Sequence, residues 1–364
     1  MSSDHFRAAL VIDDDPARAA DRVADDLAAK GGGGSVGFVY VTDRLKTGLG
    51  PVVATLAQKT GVANWVGTIG FGVIGGRDAA YNQPAIAAMI ANWPEDQFKL
   101  YDREPAQSFA SDGAAGLPTA IVHVDPRRPF EDALRGLAAS SGAYLVGGLT
   151  ASRTRQFDQV AGAVAESGAS GLLLSPDVEI AIGVSQGCSA IGPVRTIDAV
   201  EDGLVAKLDG ETPLRALLSD LSVTQESDLR KLLLSLHVGL PAPNCDTGDY
   251  VVRNITGIDA ESGRIAIADQ IEPGQKLFFC RRDRAAATKD LLAMAQKLRR
   301  RTPNLRGALY VSCCARGPNL FDSANEEVEL IQSALGEAPL VGFYANGEIA
   351  GDRIYGYTGV LALF

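Results

Sequence analysis

Between Ala308 and Asn319 the chain reads ALYVSCCARGPN, an apolar run that ends in two adjacent thiols, an arginine and a glycine. Residues of these types allow three chemistries. Cys313 could attack an electrophile if a base removed its proton, the thiols could contribute to a metal site, or the segment could line a pocket. In the last case Arg316 supplies a planar cationic fork and Gly317 lets backbone approach a ligand closely. A nucleophile needs a base, and the only histidines are His5, His123 and His237. His5 lies in the terminus, His123 closes a strand-like run, and His237 is expected to end a helix. None is tied to Cys313 by a local pattern, and Arg316 cannot accept a proton.

Other motifs face the same test. Gly183-Val-Ser185-Gln-Gly187 matches a nucleophile elbow after the strand-like VEIAI, and His237 with Asp220 or Asp228 would supply a base and an acid. An elbow must pass straight into a helix, however, and here CSAIGPV brings Gly192 and Pro193, so a strand followed by a turn is expected. Gly70, Gly72 and Gly75 match G-x-G-x-x-G, yet the next helical stretch is expected only near Pro84, which removes the dinucleotide reading. GGGG at 31–34 lacks the Lys-Ser/Thr of a phosphate loop and reads as a helix stop. Five cysteines (Cys188, Cys245, Cys280, Cys313, Cys314) without a C-x-x-C, beside three histidines, support neither a disulfide framework nor a structural zinc. No metal and no cofactor is expected.

The elements that must hold these residues follow from composition and pattern. With 364 residues, 46% of them hydrophobic, the chain can bury a large core and make two domains. A net charge of -10 speaks against a nucleic-acid partner, and the clusters Arg281, Arg282, Arg284 and Arg299 to Arg301 read as solvated surface. No basic leader or long apolar span is present, so a cytoplasmic protein without membrane insertion is expected. Asp15 and Pro16 cap a helix whose apolar face holds Ala20, Val23, Ala24 and Leu27.

A unit then recurs: a strand, a helix, and a second strand carrying a Val-Gly pair. SVGFVYVTD leads to ANWVGTIGFG, TAIVHVDPRRPF to AYLVGGLTAS, and GALYVSCCARG to APLVGFYANGEIAG. Gly67, Gly147 and Gly342 occupy the same place in each, and each is followed by a polar or Gly-rich loop and a closing apolar segment. The expected architecture is layered α/β with mixed sheets built from strand-helix-strand units, divided into domains at 1–210 and 211–364. The stretch around 205–245 is expected to be helical, and the helix from Ala285 to Arg301 to belong to the second domain.

On these residues the chain resembles the FIST proteins. SCCARG, then PLVGFYANGEIAG and IYGYTGVLALF, are similar to the C-terminal FIST half, and AYLVGGLTAS with GASGLLLSPDVEIAIGVSQGCSAIG to the N-terminal half. The resemblance implies a sensory module of signal transduction, with amino acids or similar metabolites as ligands and haem in some relatives. It places Cys313, Arg316 and Gly317 on one signature and Gly342, Phe343, Gly347, Glu348 and Ile349 on a second, with Cys314 outside both. Unlike relatives that carry an F-box or an output domain, the chain is expected either to act through a separate signalling partner or to be a stand-alone binder.

The reading favoured is therefore a pocket rim made of Cys313, Arg316, Gly317, Asn319, Tyr344, Asn346, Glu348, Thr150 and Ser152. Arg316 would grip a ligand carboxylate and Glu348 an ammonium. The alternatives are that Arg316 and Glu348 only pair with each other, that Ser185 or Cys313 serves a hydrolase, or that the chain binds haem.

Overall fold

A computed structural model describes residues 6–102, 109, 116–165, 168–222, 235–241 and 250–364. The chain forms two compact units: Met1–Gln186 with Thr288–Phe364, and the intervening Gly187–Ala287.

The first unit holds three copies of one motif. In the first copy an outer strand β1 (Arg7–Ile12) and helix α1 (Pro16–Ala29) precede β2 (Val36–Thr42), α2 (Leu49–Thr60) and β3 (Asn64–Gly70). A hairpin, β4 (Gly72–Gly75) and β5 (Asp78–Tyr81), and a closing strand β6 (Ala85–Ala91) complete it. The second copy runs β7 (Phe98–Asp102), β8 (Thr119–Val124), α3 (Phe130–Ser141), β9 (Tyr144–Leu149), hairpin β10 (Gln159–Ala161) and β11 (Ala163–Ala165), and β12 (Ala169–Leu174).

The third copy starts with β13 (Ala181–Ser185) and is interrupted by the second unit, which contains β14 (Cys188–Ala190), β15 (Arg195–Glu201), β16 (Leu204–Leu208), α4 (Pro213–Leu221), β17 (Leu236–Pro241), β18 (Tyr250–Ile258), β19 (Ile265–Ile267) and β20 (Lys276–Arg282). It resumes with α5 (Arg284–Arg301), β21 (Ala308–Cys313), α6 (Ala324–Leu335), β22 (Leu340–Ala345), hairpin β23 (Glu348–Ala350) and β24 (Arg353–Tyr355), and β25 (Gly359–Leu363).

Each copy nucleates a six-stranded sheet with the same order: outer, closing, first, second, hairpin. First and second strands are parallel and joined by a helix; the closing strand is antiparallel. The hairpin that finishes each sheet comes from another copy. The β4–β5 hairpin joins β22, β10–β11 joins β3, and β23–β24 joins β9, so the copies are exchanged in a cycle. Where the sequence reads as polar loops after each Val-Gly, the chain in fact forms these exchanged strands.

The three glycines are equivalent in register, Gly67 opposite Val39, Gly147 opposite Val122 and Gly342 opposite Tyr310. A Cβ on them would meet the facing carbonyl oxygen at 1.7, 1.8 and 1.8 Å, so only glycine fits. Just beyond, the second strands are tied in a ring: Phe71 N–H donates to Tyr344 (3.2 Å), Ala151 to Ile69 (3.1 Å) and Asn346 to Leu149 (3.4 Å). Helices cover one face of each sheet, with Leu27, Leu56, Leu134, Leu137, Ile331 and Leu335 among the buried side chains. Tyr40, His123 and Phe343, one from each sheet, meet with ring centroids 4.8 to 5.9 Å apart.

The second unit is a closed barrel, because β20 pairs with β15 on one edge and β17 on the other. Leu208, Val238, Ile265, Leu277 and Phe279 fill its core together with Leu214 and Leu217 of α4. The expected division at 210/211 is a different partition, since it falls between β16 and α4, inside this barrel. Of the expected helical stretch, only Pro213–Leu221 is helical among the described residues, and His237 lies in strand β17. The stretch after Pro84 is strand β6, buried on both faces, which reads in sequence as an unbroken apolar run. From Thr288 onward α5 belongs with the first unit.

Candidate functional site

Strand β21 ends at Cys313, and the next residues turn to meet helix α6. Glu327, in the first turns of that helix, is wholly buried and gathers four donors. Tyr310 Oη lies at 2.7 Å, Ser312 Oγ at 3.0 Å, Arg316 Nε at 2.8 Å and the Gly317 amide at 2.8 Å. Gly317 has φ +51°, and a Cβ there would press on the Tyr344 ring at 2.8 Å. The arginine and glycine of the motif are thus explained by the turn. Arg316 is fully buried, with Phe321 beside its guanidinium and with Nη1 and Nη2 lacking hydrogen-bond partners among the described residues. The alternative that it pairs with Glu348 is overturned: its ion-pair partner is Glu327.

Glu348 sits in β23 of the exchanged hairpin opposite Gly148, and its Oε2 accepts from the amide (3.2 Å) and hydroxyl (2.8 Å) of Thr358. Burial, then the nearby Cys313, pushes its carboxyl well above the usual range, which disfavours the anionic form that would anchor an ammonium.

The two thiols differ. Cys313 is buried and its sulfur accepts the Tyr357 amide at 3.2 Å. Its hydrogen bond to Cys314 and its burial push the thiol up, which makes it the less reactive of the two sulfurs. Cys314 is half-buried, with Sγ 3.6 Å from Asn346 Oδ1. The hydrogen bond from Cys313 lowers its pKa; burial and Glu348 oppose that, and the charge of Arg153 favours it.

Around Cys314 stand exposed Asn319, exposed Asn346 and half-buried Tyr81. Tyr81 Oη and Asn319 Nδ2 both donate to the Cys314 carbonyl at 2.8 Å, and Tyr344, buried beneath, meets Tyr81 edge-on. Arg153 follows the end of β9; its Nη1 takes both oxygens of buried Asp43 (3.0 and 3.1 Å) and its guanidinium lies over Phe71 at 4.3 Å. Thr150 is buried against Thr68 Oγ1 (2.6 Å), while Ser152 bonds locally to Thr154. The expected residues therefore separate into a buried set (Cys313, Arg316, Gly317, Tyr344, Glu348, Thr150) and a rim (Asn319, Asn346, Ser152), to which Cys314, Arg153 and Tyr81 are added. An acidic residue early in the helix after C-x-x-R-G was the available signal for Glu327; nothing local in sequence marked Arg153 or Tyr81.

The remaining candidates sit elsewhere. Ser185 ends β13, and the chain enters another strand rather than a helix, so no elbow forms. Asp220 is engaged by Arg195, and Asp228, His5 and Cys245 lie outside the described residues. His123 Nε2 bonds Tyr40 Oη at 3.0 Å in the core, and burial lowers its pKa to about 3. Among the described residues no group of three or more His, Cys, Asp or Glu is placed to hold a metal, and no helix is long and apolar enough to cross a membrane.

The chain matches the FIST N domain over residues 35–211 and the FIST C domain over residues 213–351. It is similar to an uncharacterized protein of Mycobacterium tuberculosis, 28% identical over 346 residues and 86% of each chain. An uncharacterized protein of Mycobacterium bovis is 29% identical over 345 residues, again 86% of each chain.

Proposed function

Since the chain belongs to the FIST family, whose domains are sensory modules of signal transduction, we propose that it senses a small carboxylate metabolite, such as an amino acid, at the rim around Cys314. The observation that carries this reading is Arg153, a cation whose side chain is 39% exposed and lies near a cluster of exposed amides and a half-buried thiol. A guanidinium presents a fork to carboxylate, and Asn319, Asn346 and Tyr81 add neutral donors and acceptors for the rest of the ligand. Arg316 is a positioning residue, holding the turn from Cys314 to Gly317 through Glu327. Output passes to a separate cytoplasmic partner.

Calorimetric titration with a panel of carboxylates and amines tests the reading. A carboxylate should bind, and Arg153→Ala should weaken it about ten-fold or more, a charge-assisted bond contributing roughly 1.5 to 3 kcal/mol. Binding that is unchanged by Arg153→Ala, or confined to amines, would sink it.

A further inference from the structure

The vicinal thiols have no task in the ligand reading that a serine and an alanine could not perform. They are also the place where the third copy departs from the first: Cys314 donates its amide to the Ala345 carbonyl (2.8 Å) as Asp43 does to Gly70 (3.0 Å), yet carries a thiol where the first copy carries a carboxylate. One sulfur is enclosed and held by the Tyr357 amide; its neighbour is half-buried, close to Asn346 and within the field of the Arg153 cation. The parallel ladder with β22 covers Ala308 to Cys313, so Cys314 lies in the turn beyond it and its side chain is free of the sheet's alternation.

We propose that Cys314 is a redox-modification site: a hydroperoxide oxidises it to a sulfenic acid, and Cys313 closes a disulfide with it. In the first step the Cys314 sulfur attacks the peroxide; an S–O bond forms, the O–O bond breaks, and the alkoxide leaves and is protonated to the alcohol. Sulfur is oxidised by two electrons and the peroxide reduced by two. In the second, Cys313 attacks the Cys314 sulfur; an S–S bond forms, the S–O bond breaks, and hydroxide departs with the Cys313 proton as water. One hydroperoxide and two thiols give one disulfide, one alcohol and one water. Arg153, beside the attacking sulfur, favours its thiolate and the leaving oxyanion.

The inference rests on the proposed site only for its consequence, which is that the oxidised rim no longer takes the ligand. Oxidation itself is read without any ligand, so either reading can fail alone. The full-length protein is titrated with hydrogen peroxide, alkylated, and mapped by peptide mass spectrometry, with circular dichroism as the check on folding. The expected product is a peptide spanning 308–319 that has lost two hydrogens and resists alkylation. Cys314→Ser should abolish it, and Cys313→Ala should stop at an oxygen adduct on Cys314 that dimedone captures. Arg153→Gln, a surface change that leaves both thiols, should slow oxidation about ten-fold. Three results overturn the inference. They are thiols at 313 and 314 that remain alkylatable when an exposed model thiol is consumed, oxygen uptake on wild-type Cys314 without a disulfide, and a disulfide mapped instead to Cys188 and Cys280, whose thiols hydrogen-bond in the barrel.

Discussion

The ends of β2 and β21 are the same piece of backbone with opposite chemistry. At the first, the buried carboxylate of Asp43 faces outward to a partly exposed Arg153. At the second, the acid has moved onto helix α6 as Glu327, its arginine partner Arg316 is buried with it, and the strand end presents a thiol. The platform is repeated, whereas the charge pair is wholly inside in one copy and has its arginine partly exposed in the other. An inside pair fixes a turn, because removing either member strands a charge in low dielectric. A pair with only its acid buried retains a cation that a ligand can reach, and solvent on the arginine's side reduces its contribution to stability.

The largest expected effect breaks the platform itself. Gly67→Val, Gly147→Val and Gly342→Val should each cost about 4 kcal/mol or more, or prevent folding, since backbone must move to admit a Cβ. Urea unfolding of the three variants side by side checks the equivalence; one that is tolerated means that copy does not share the register. Gly136→Ala, in α3 with open space around it, is the contrasting control and should gain about 0.5–1 kcal/mol.

Next in size, Arg316→Ala should destabilise by about 3–5 kcal/mol, while Arg153→Ala costs less, because the Arg153 side chain is partly exposed and its backbone amide still donates to Asp43. Equal losses in thermal or denaturant unfolding would erase the distinction between the inner and outer pairs.

A third expectation concerns pH. His123 binds protons less readily in the fold, at about 3, than in the unfolded chain, at about 6.5. Its contribution is therefore fully present above about pH 6.5 and is lost as pH falls toward 3, of order a few kcal/mol. His123→Gln should flatten that acid limb of a stability-versus-pH curve even if it lowers the plateau. Glu348 acts in the other direction: its folded pKa is raised, so the unfolded chain ionises first and stability falls as pH rises above the ordinary carboxyl range. Glu348→Gln, which keeps the neutral shape, should remove this decline, and an unchanged slope would show that the carboxyl is not held neutral.

Much of the architecture was legible in the chain. Asp15 and Pro16 at a helix start, the apolar stripe of Val328, Ile331 and Leu335, and the thrice-repeated Val-Gly pair are local signals, set by capping geometry and by periods that neighbours in sequence can display. They determined the helices, the strand-helix-strand units and the equivalence of the three glycines. What sequence could not show is which copy each hairpin joins, because strand pairing between residues such as Gly75 and Val341 depends on contacts hundreds of residues apart. That exchange buries Glu348, which disfavours the anionic form of an expected anchor, and closure of the barrel across β17 and β20 groups residues on both sides of 210/211 into one compact unit. Only the tertiary structure, likewise, paired Arg316 with Glu327 and brought Arg153 and Tyr81 to Cys314, since burial and proximity decide the charge of a side chain and a sequence records neither.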